Sequence, residues 1–82
     1  MKATVLVRPK GGILDPQGEA VERSLRQLGF PVEDARIGRV IDLEVDAASA
    51  EEARDQVVRM CDRLLANPLI ESYEIELEGR QT

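Results

Sequence analysis

Two pairs of helix start and stop signals divide this chain and fix the order of its elements. The first helix is predicted to start at Asp15-Pro16, an N-cap carboxylate followed by proline at the first helical position. It should stop at Gly29, with Pro31 preventing its continuation. The second starts at the capping box Ser49–Glu52 and ends at Asn67-Pro68. The segments outside these signals are therefore the candidates for strands.

Three segments have the composition and alternation of strands. Lys2–Arg8 is short and rich in β-branched residues, Val32–Asp46 is extended, and the last strand precedes a tail at 79–82 that we expect to be frayed. Gly38 marks either a tight turn between two strands or a bulge in one long strand. The residues predicted to face the core from the second and last strands are Ile41, Leu43, Val45, Tyr73, Ile75 and Leu77.

The apolar positions of both helices form stripes that predict the layer arrangement. The first stripe is Val21, Leu25 and Leu28. The second is Ala53, Val57, Met60 and Leu64, with Cys61 and Leu65 beside it. We predict one α+β domain over residues 1–82, a two-layer sandwich of order β-α-β(β)-α-β. Its antiparallel sheet would carry two helices on one face, as in a ferredoxin-like fold or a close variant with a long bent central strand.

The size of the chain predicts an oligomer. Its 82 residues support only a small core, and a single cysteine excludes an intramolecular disulfide. We expect a second copy to cover part of the opposite sheet face, at Thr4, Leu6 and Val40.

The N-terminus reads into a strand rather than a signal peptide, and the apolar stretches are too short to span a bilayer. A cytoplasmic location is expected.

The composition argues against catalysis by this chain alone. Histidine is absent, so no side chain titrates near neutral pH by default, and no ligand cluster has metal spacing. Cys61 fits a small core residue better than a nucleophile. The net charge of −5 and the two aromatic residues disfavour nucleic acid as a partner. We expect no catalytic residue, cofactor or metal on this chain.

Two further features allow two interpretations each. Lys10-Gly11-Gly12 before the first helix is either a plain loop or a weak anion site, although Asp15 would bring its own negative charge there. Arg36 and Arg39 flank Gly38, and with Arg8 they form either a basic interaction spot or ordinary solvated arginines.

Three segments together resemble one family. They are Ile13–Val21 followed by Leu28-Gly29-Phe30, then Val32–Arg39, and finally Cys61–Tyr73 with its Leu-Leu-Ala-Asn-Pro run. In this order and at this length they resemble the PurS subunit of multi-subunit phosphoribosylformylglycinamidine synthase. Arg39 departs from the family pattern, which more often has lysine there, but the charge is kept.

The resemblance implies a non-catalytic subunit, a dimer or dimer of dimers, that joins a glutaminase subunit to a large synthetase subunit and supports ammonia transfer. ATP and magnesium are then expected on the synthetase partner. A competing hypothesis is an ACT-like domain that binds a small molecule at a subunit interface. Candidate partner contacts, named from motif matches and local chemistry, are Asp15, Gln17, Arg36, Arg39, Asn67 and Tyr73.

Overall fold

The computed structural model describes residues 1–77 and contains three strands and two helices. The strands are β1 (Lys2–Pro9), β2 (Arg39–Glu44) and β3 (Glu71–Leu77), and the helices are α1 (Pro16–Gln27) and α2 (Ala50–Met60). A π-helical turn, Cys61–Leu65, continues α2 and is closed by a hydrogen bond from the Ala66 N–H to the Cys61 carbonyl. The frayed tail predicted for 79–82 lies outside the described residues.

The sheet has the order β2-β1-β3, and both pairings are antiparallel. Val5 in the central strand lies opposite Ile41 on one side and Ile75 on the other. This register confirms the α+β class and the predicted inward faces of the strands. The middle segment supplies one paired strand, which begins directly after Gly38, so this glycine marks neither a turn between two paired strands nor a bulge within β2.

The core lies between the sheet and α2. Its central side chains are Val5 and Val7 from β1 and Val57 and Cys61 from α2 and the π turn, all at most 1% exposed. Leu64 was predicted to continue this stripe but is 82% exposed. The π turn places an extra residue in the last helical turn, so the α-helical period no longer applies beyond Cys61.

Helix α1 begins and ends as its sequence predicts. The Asp15 carboxylate accepts a hydrogen bond from the Gly18 N–H at 3.0 Å, and Pro16 occupies the first turn. At the other end Gly29 has φ +98°, the Phe30 N–H donates to the Leu25 carbonyl, and the Gly29 N–H donates to that of Arg26. These two bonds form a Schellman motif, which satisfies the last carbonyls of the helix.

The predicted burial of the α1 stripe is wrong for a single chain. Val21 is 39% exposed and Leu28 is 72% exposed, and no side chain of α1 belongs to the core of residues 1–77. The Cα radius of gyration is 16.0 Å, against about 12 Å for a compact chain of this length. We call residues 10–38, the segment that carries α1 away from the sheet, the arm. No helix within residues 1–77 is both long and apolar enough to cross a bilayer.

Candidate functional site

The first site feature is the hinge cluster, formed by Asp15, Gly18, Arg36 and Ile37 where the arm folds back on itself. One oxygen of Asp15 caps α1 through Gly18, and the other accepts the Ile37 N–H at 2.9 Å. The Arg36 Nε lies 3.9 Å from the Asp15 Oδ2. The Ile37 and Gly18 N–H groups, with Arg36, hold the pKa of the Asp15 carboxyl below its usual value. One carboxylate therefore joins the start of α1 to the segment that leads into β2.

Gly18 allows the two parts of the arm to approach this closely. A Cβ on Gly18 would lie 2.3 Å from the Ala35 carbonyl oxygen and 2.5 Å from the Asp15 Oδ2. The Arg36 guanidinium also donates to the Lys10 carbonyl at 2.9 Å and to the Ile13 carbonyl at 3.2 Å. The Asp-Pro-Gln-Gly motif thus has a structural explanation, because it sets the path of the arm.

The second feature is the clamp cluster, formed by Arg39, Glu71, Asn67 and the Leu65 carbonyl. Arg39 at the start of β2 pairs with both carboxylate oxygens of Glu71 at the start of β3, at 2.7 and 3.0 Å. Its second Nη donates to the Leu65 carbonyl at 2.6 Å, and Glu71 also accepts the Asn67 N–H at 2.8 Å. Arg39, followed by the Asn67 N–H, lowers the pKa of Glu71. This cluster ties β2 and β3 to the end of the π turn.

A shallow groove of about 310 Å³ runs between the two clusters. Asp15 lines it on the arm side, and Arg39 and Glu71 line it on the sheet side. The remaining lining residues are mostly apolar: Pro9, Ile13, Leu14, Gln17, Ile37, Gly38 and Ile70. Small-molecule sites have roughly this volume or more and enclose most of the ligand. An open groove whose charged side chains are already paired is better suited to contact a protein surface.

The structure brings five of the six candidate contacts to this end of the molecule. Asp15 and Arg36 belong to the hinge cluster, Arg39 and Asn67 belong to the clamp cluster, and Gln17 lies in the groove between them.

Tyr73, the sixth candidate, packs against the core. Its hydroxyl donates to the Asp62 carboxylate at 3.3 Å. Desolvation and the Asp62 charge raise the pKa of this hydroxyl. Its main observed role is therefore structural.

The three arginines of the proposed basic spot lie together but are not free positive charges. Arg8, Arg36 and Arg39 line one concavity of about 220 Å³. Arg8 pairs with Glu74, Arg39 pairs with Glu71, and Arg36 lies beside Asp15. Three carboxylates balance the three guanidinium groups, so the spot is close to neutral.

Two possible sites of chemistry have structural explanations. Cys61 is fully buried in the core as predicted, and burial, followed by the neighbouring Asp62, raises the pKa of its thiol. The N-terminal end of α1 is occupied by the Asp15 side chain, which leaves the plain-loop interpretation of Lys10-Gly11-Gly12 as the simpler one. Among residues 1–77, no group of three or more potential ligand side chains is arranged to hold a metal.

Sequence reasoning left Gly18 and Glu71 out of this site, and it interpreted Gly38 only as a turn or a bulge. A Cβ on Gly38 would lie 2.3 Å from the Val7 carbonyl oxygen, which is why glycine stands where the arm meets the sheet. A glycine inside the first turn of α1 costs about 1 kcal/mol of helix propensity. This unfavourable choice was the sequence signal that Gly18 is needed for a close contact. Glu71 had no comparable signal, because its partner Arg39 is distant in sequence.

The hinge cluster predicts a pH dependence of stability. Because the pKa of Asp15 is lowered in the fold, its stabilising contribution is present above about pH 4 and is lost as the pH falls through the folded pKa. Asp15→Asn should therefore lower the melting temperature at pH 7, and this difference from wild type should shrink below about pH 4. Thermal melts across pH 3 to 7 measure it. Asp34→Asn, at an exposed carboxylate of the same arm, should show no such difference, and a constant gap for Asp15→Asn would contradict the prediction.

Comparison with known proteins gives a consistent result over nearly the whole chain. Residues 2–79 match the family described as PurS: Phosphoribosylformylglycinamidine (FGAM) synthase. The sequence is 40% identical over 78 residues to phosphoribosylformylglycinamidine synthase subunit PurS of Methanocaldococcus jannaschii, covering 94% of each chain.

Solved structures agree in fold. A crystal structure of PurS from Bacillus subtilis is similar with a TM-score of 0.83 and 39% identity, covering 95% of this chain and 98% of that one. A chain in the structure of PurLQS from Thermotoga maritima is similar with a TM-score of 0.85 and 41% identity, covering 92% and 93%.

Proposed function

The chain belongs to the PurS family of FGAM synthase subunits, and we propose that it acts as the non-catalytic bridging subunit of that synthase in purine biosynthesis. In this proposal it joins a glutaminase subunit to a large synthetase subunit in the cytoplasm. Ammonia released from glutamine then passes to the ATP- and magnesium-dependent ligase reaction on the synthetase. The observation that supports the bridging role most is the exposed apolar surface of the arm, which is suited to contact with other chains.

The arm is the proposed dimer contact. A small domain that leaves Leu28 72% and Phe30 55% exposed keeps much of its apolar surface for a partner. The outer edge of β2 also pairs with no strand among residues 1–77. A second copy of the chain meets both needs, because a two-fold contact can bury both arms at once. The tetramer implied by the family would be a dimer of such dimers.

The two clusters give the arm a defined position. Asp15 and Arg36 of the hinge cluster fix the fold of the arm. Arg39 and Asn67 of the clamp cluster fix the edge of the sheet beside the arm. Gln17 is the candidate with an exposed side chain in the groove, and we propose it as a direct contact. The role of this chain's residues in the reaction is then positional, since they hold two active sites on other subunits in register.

Reconstitution of the synthase from purified subunits tests the proposal. Omission of this chain should abolish glutamine-dependent product formation, while the reaction with free ammonia should continue at a comparable rate. This difference is expected because ammonia from solution does not need the glutaminase to be attached. Product formation with each nitrogen source is the measurement. If glutamine-dependent activity were unchanged without this chain and no complex formed, the bridging role would be wrong.

A further inference from the structure

The face of the sheet opposite α2 has no helix over it and carries a patterned surface. We call it the open face. Its residues alternate with the buried ones along the three strands: Lys2, Thr4, Leu6, Arg8, Val40, Asp42, Glu44, Ser72, Glu74 and Glu76. Leu6 lies opposite Val40, which is 62% exposed, so an apolar pair forms the centre of this face. Charged side chains surround that pair.

The charge of the open face is unevenly distributed. Four acidic and two basic side chains give it a net charge of −2. Arg8 pairs with Glu74 at one end, whereas Asp42 and Glu76 flank Thr4 at the other. The Thr4 hydroxyl donates to Asp42 at 3.0 Å, which holds this carboxylate in place. A concavity of about 580 Å³ lies over the acidic end, lined by Lys2, Thr4, Asp42, Glu44 and Glu76 with neighbouring apolar atoms.

This pattern is unsuited to contact with an identical face. Two open faces packed together would double the excess of negative charge in one contact, which is unfavourable at an interface. The second copy expected there from the sequence is better placed on the arm, where the exposed residues are apolar. The apolar centre with a charged surround instead fits the usual anatomy of a contact between different proteins.

We propose that the open face docks a basic surface on another subunit of the same synthase. This inference rests on the proposed function and adds the chemistry of one partner: an apolar contact for Leu6 and Val40, surrounded by lysine or arginine side chains that meet Asp42 and Glu76. Glu44 is already paired with the Met1 ammonium at 3.0 Å. The strand spacings give the face an area of only about 300 Å². A standard interface buries about 800 Å² on each partner, so the contact extends beyond this face.

The test reverses the charge of the acidic end. The double variant Asp42→Lys/Glu76→Lys changes the net charge of the face from −2 to +2. Its affinity for purified glutaminase subunit and for purified synthetase subunit is measured at low and at physiological salt. At low salt we expect the affinity of the variant for one of the two subunits to be at least about tenfold lower than that of wild type. At physiological salt this difference in affinity should be smaller, because salt screens the wild-type attraction.

The control is Glu51→Lys/Asp55→Lys, which makes the same change of charge on exposed positions of α2. It should bind within about twofold of wild type. Unchanged binding of Asp42→Lys/Glu76→Lys to both subunits would overturn the inference and leave the bridging role standing. Loss of self-association in that variant would assign the open face to a second copy and also overturn it. If the wild-type chain bound neither the glutaminase subunit nor the synthetase subunit, both the bridging role and the docking role of the open face would be wrong.

Discussion

Replacing Gly38 with alanine is expected to lower the free energy of unfolding by about 3 kcal/mol, the upper end of the range for overpacking. The new Cβ would lie 2.3 Å from the Val7 carbonyl oxygen and 3.4 Å from the Val7 carbonyl carbon. Both atoms belong to the backbone of the central strand, which is paired on both sides and cannot move without disturbing the sheet. The strain must therefore be relieved by shifting the start of β2 and the arm attached to it.

Urea unfolding of the wild type and the variant measures this loss, and Gly11→Ala is the matched control. A Cβ on Gly11 meets nothing within 4 Å, so the control should change stability by no more than about 0.5 kcal/mol. Because the arm shifts with β2, the Gly38→Ala variant should also bind its partner subunits less tightly. Equal stability of the two alanine variants would show that the approach of Gly38 to Val7 is not a constraint.

Local signals allowed most of the fold to be predicted. The cap at Asp15, the left-handed glycine cap at Gly29 and the Ser49 N-cap each act within a few residues, and the structure contains all three. The alternation in β1 and β3 likewise specified which side chains are buried. Neighbouring residues determine these features, so a single sequence is enough to find them.

The position of α1 could not be predicted in the same way. An amphipathic stripe shows that a helix needs an apolar partner, but it does not say whether the partner lies in the same chain. Val21 and Leu28 therefore suggested packing on the chain's own sheet, whereas the structure leaves them exposed. The site had the same limit, because the Arg39–Glu71 ion pair joins residues far apart in sequence. The resemblance to a family named Arg39 as a candidate contact, but it did not name Glu71, the partner that the structure gives to Arg39.

Substituting Leu28 with glutamate should convert the proposed dimer into monomers while leaving the fold of each chain intact. Leu28 is 72% exposed in the single chain, so the change costs the monomer little. In a dimer joined through the arms, each substituted chain would bury an unpaired carboxylate in an apolar contact. We expect the dissociation constant to rise at least about 100-fold, which corresponds to about 3 kcal/mol.

Analytical ultracentrifugation across micromolar concentrations measures this dissociation, with far-UV circular dichroism to verify that α1 is retained. Gln27→Glu is the control, because it makes the same change of charge at the exposed neighbouring position of α1. The two variants carry the same added charge at adjacent positions at the end of α1, so a large difference between them points to the apolar surface of Leu28. A dimeric Leu28→Glu protein would move the self-contact away from this surface. The exposed stripe of α1 would then need a different subunit to cover it.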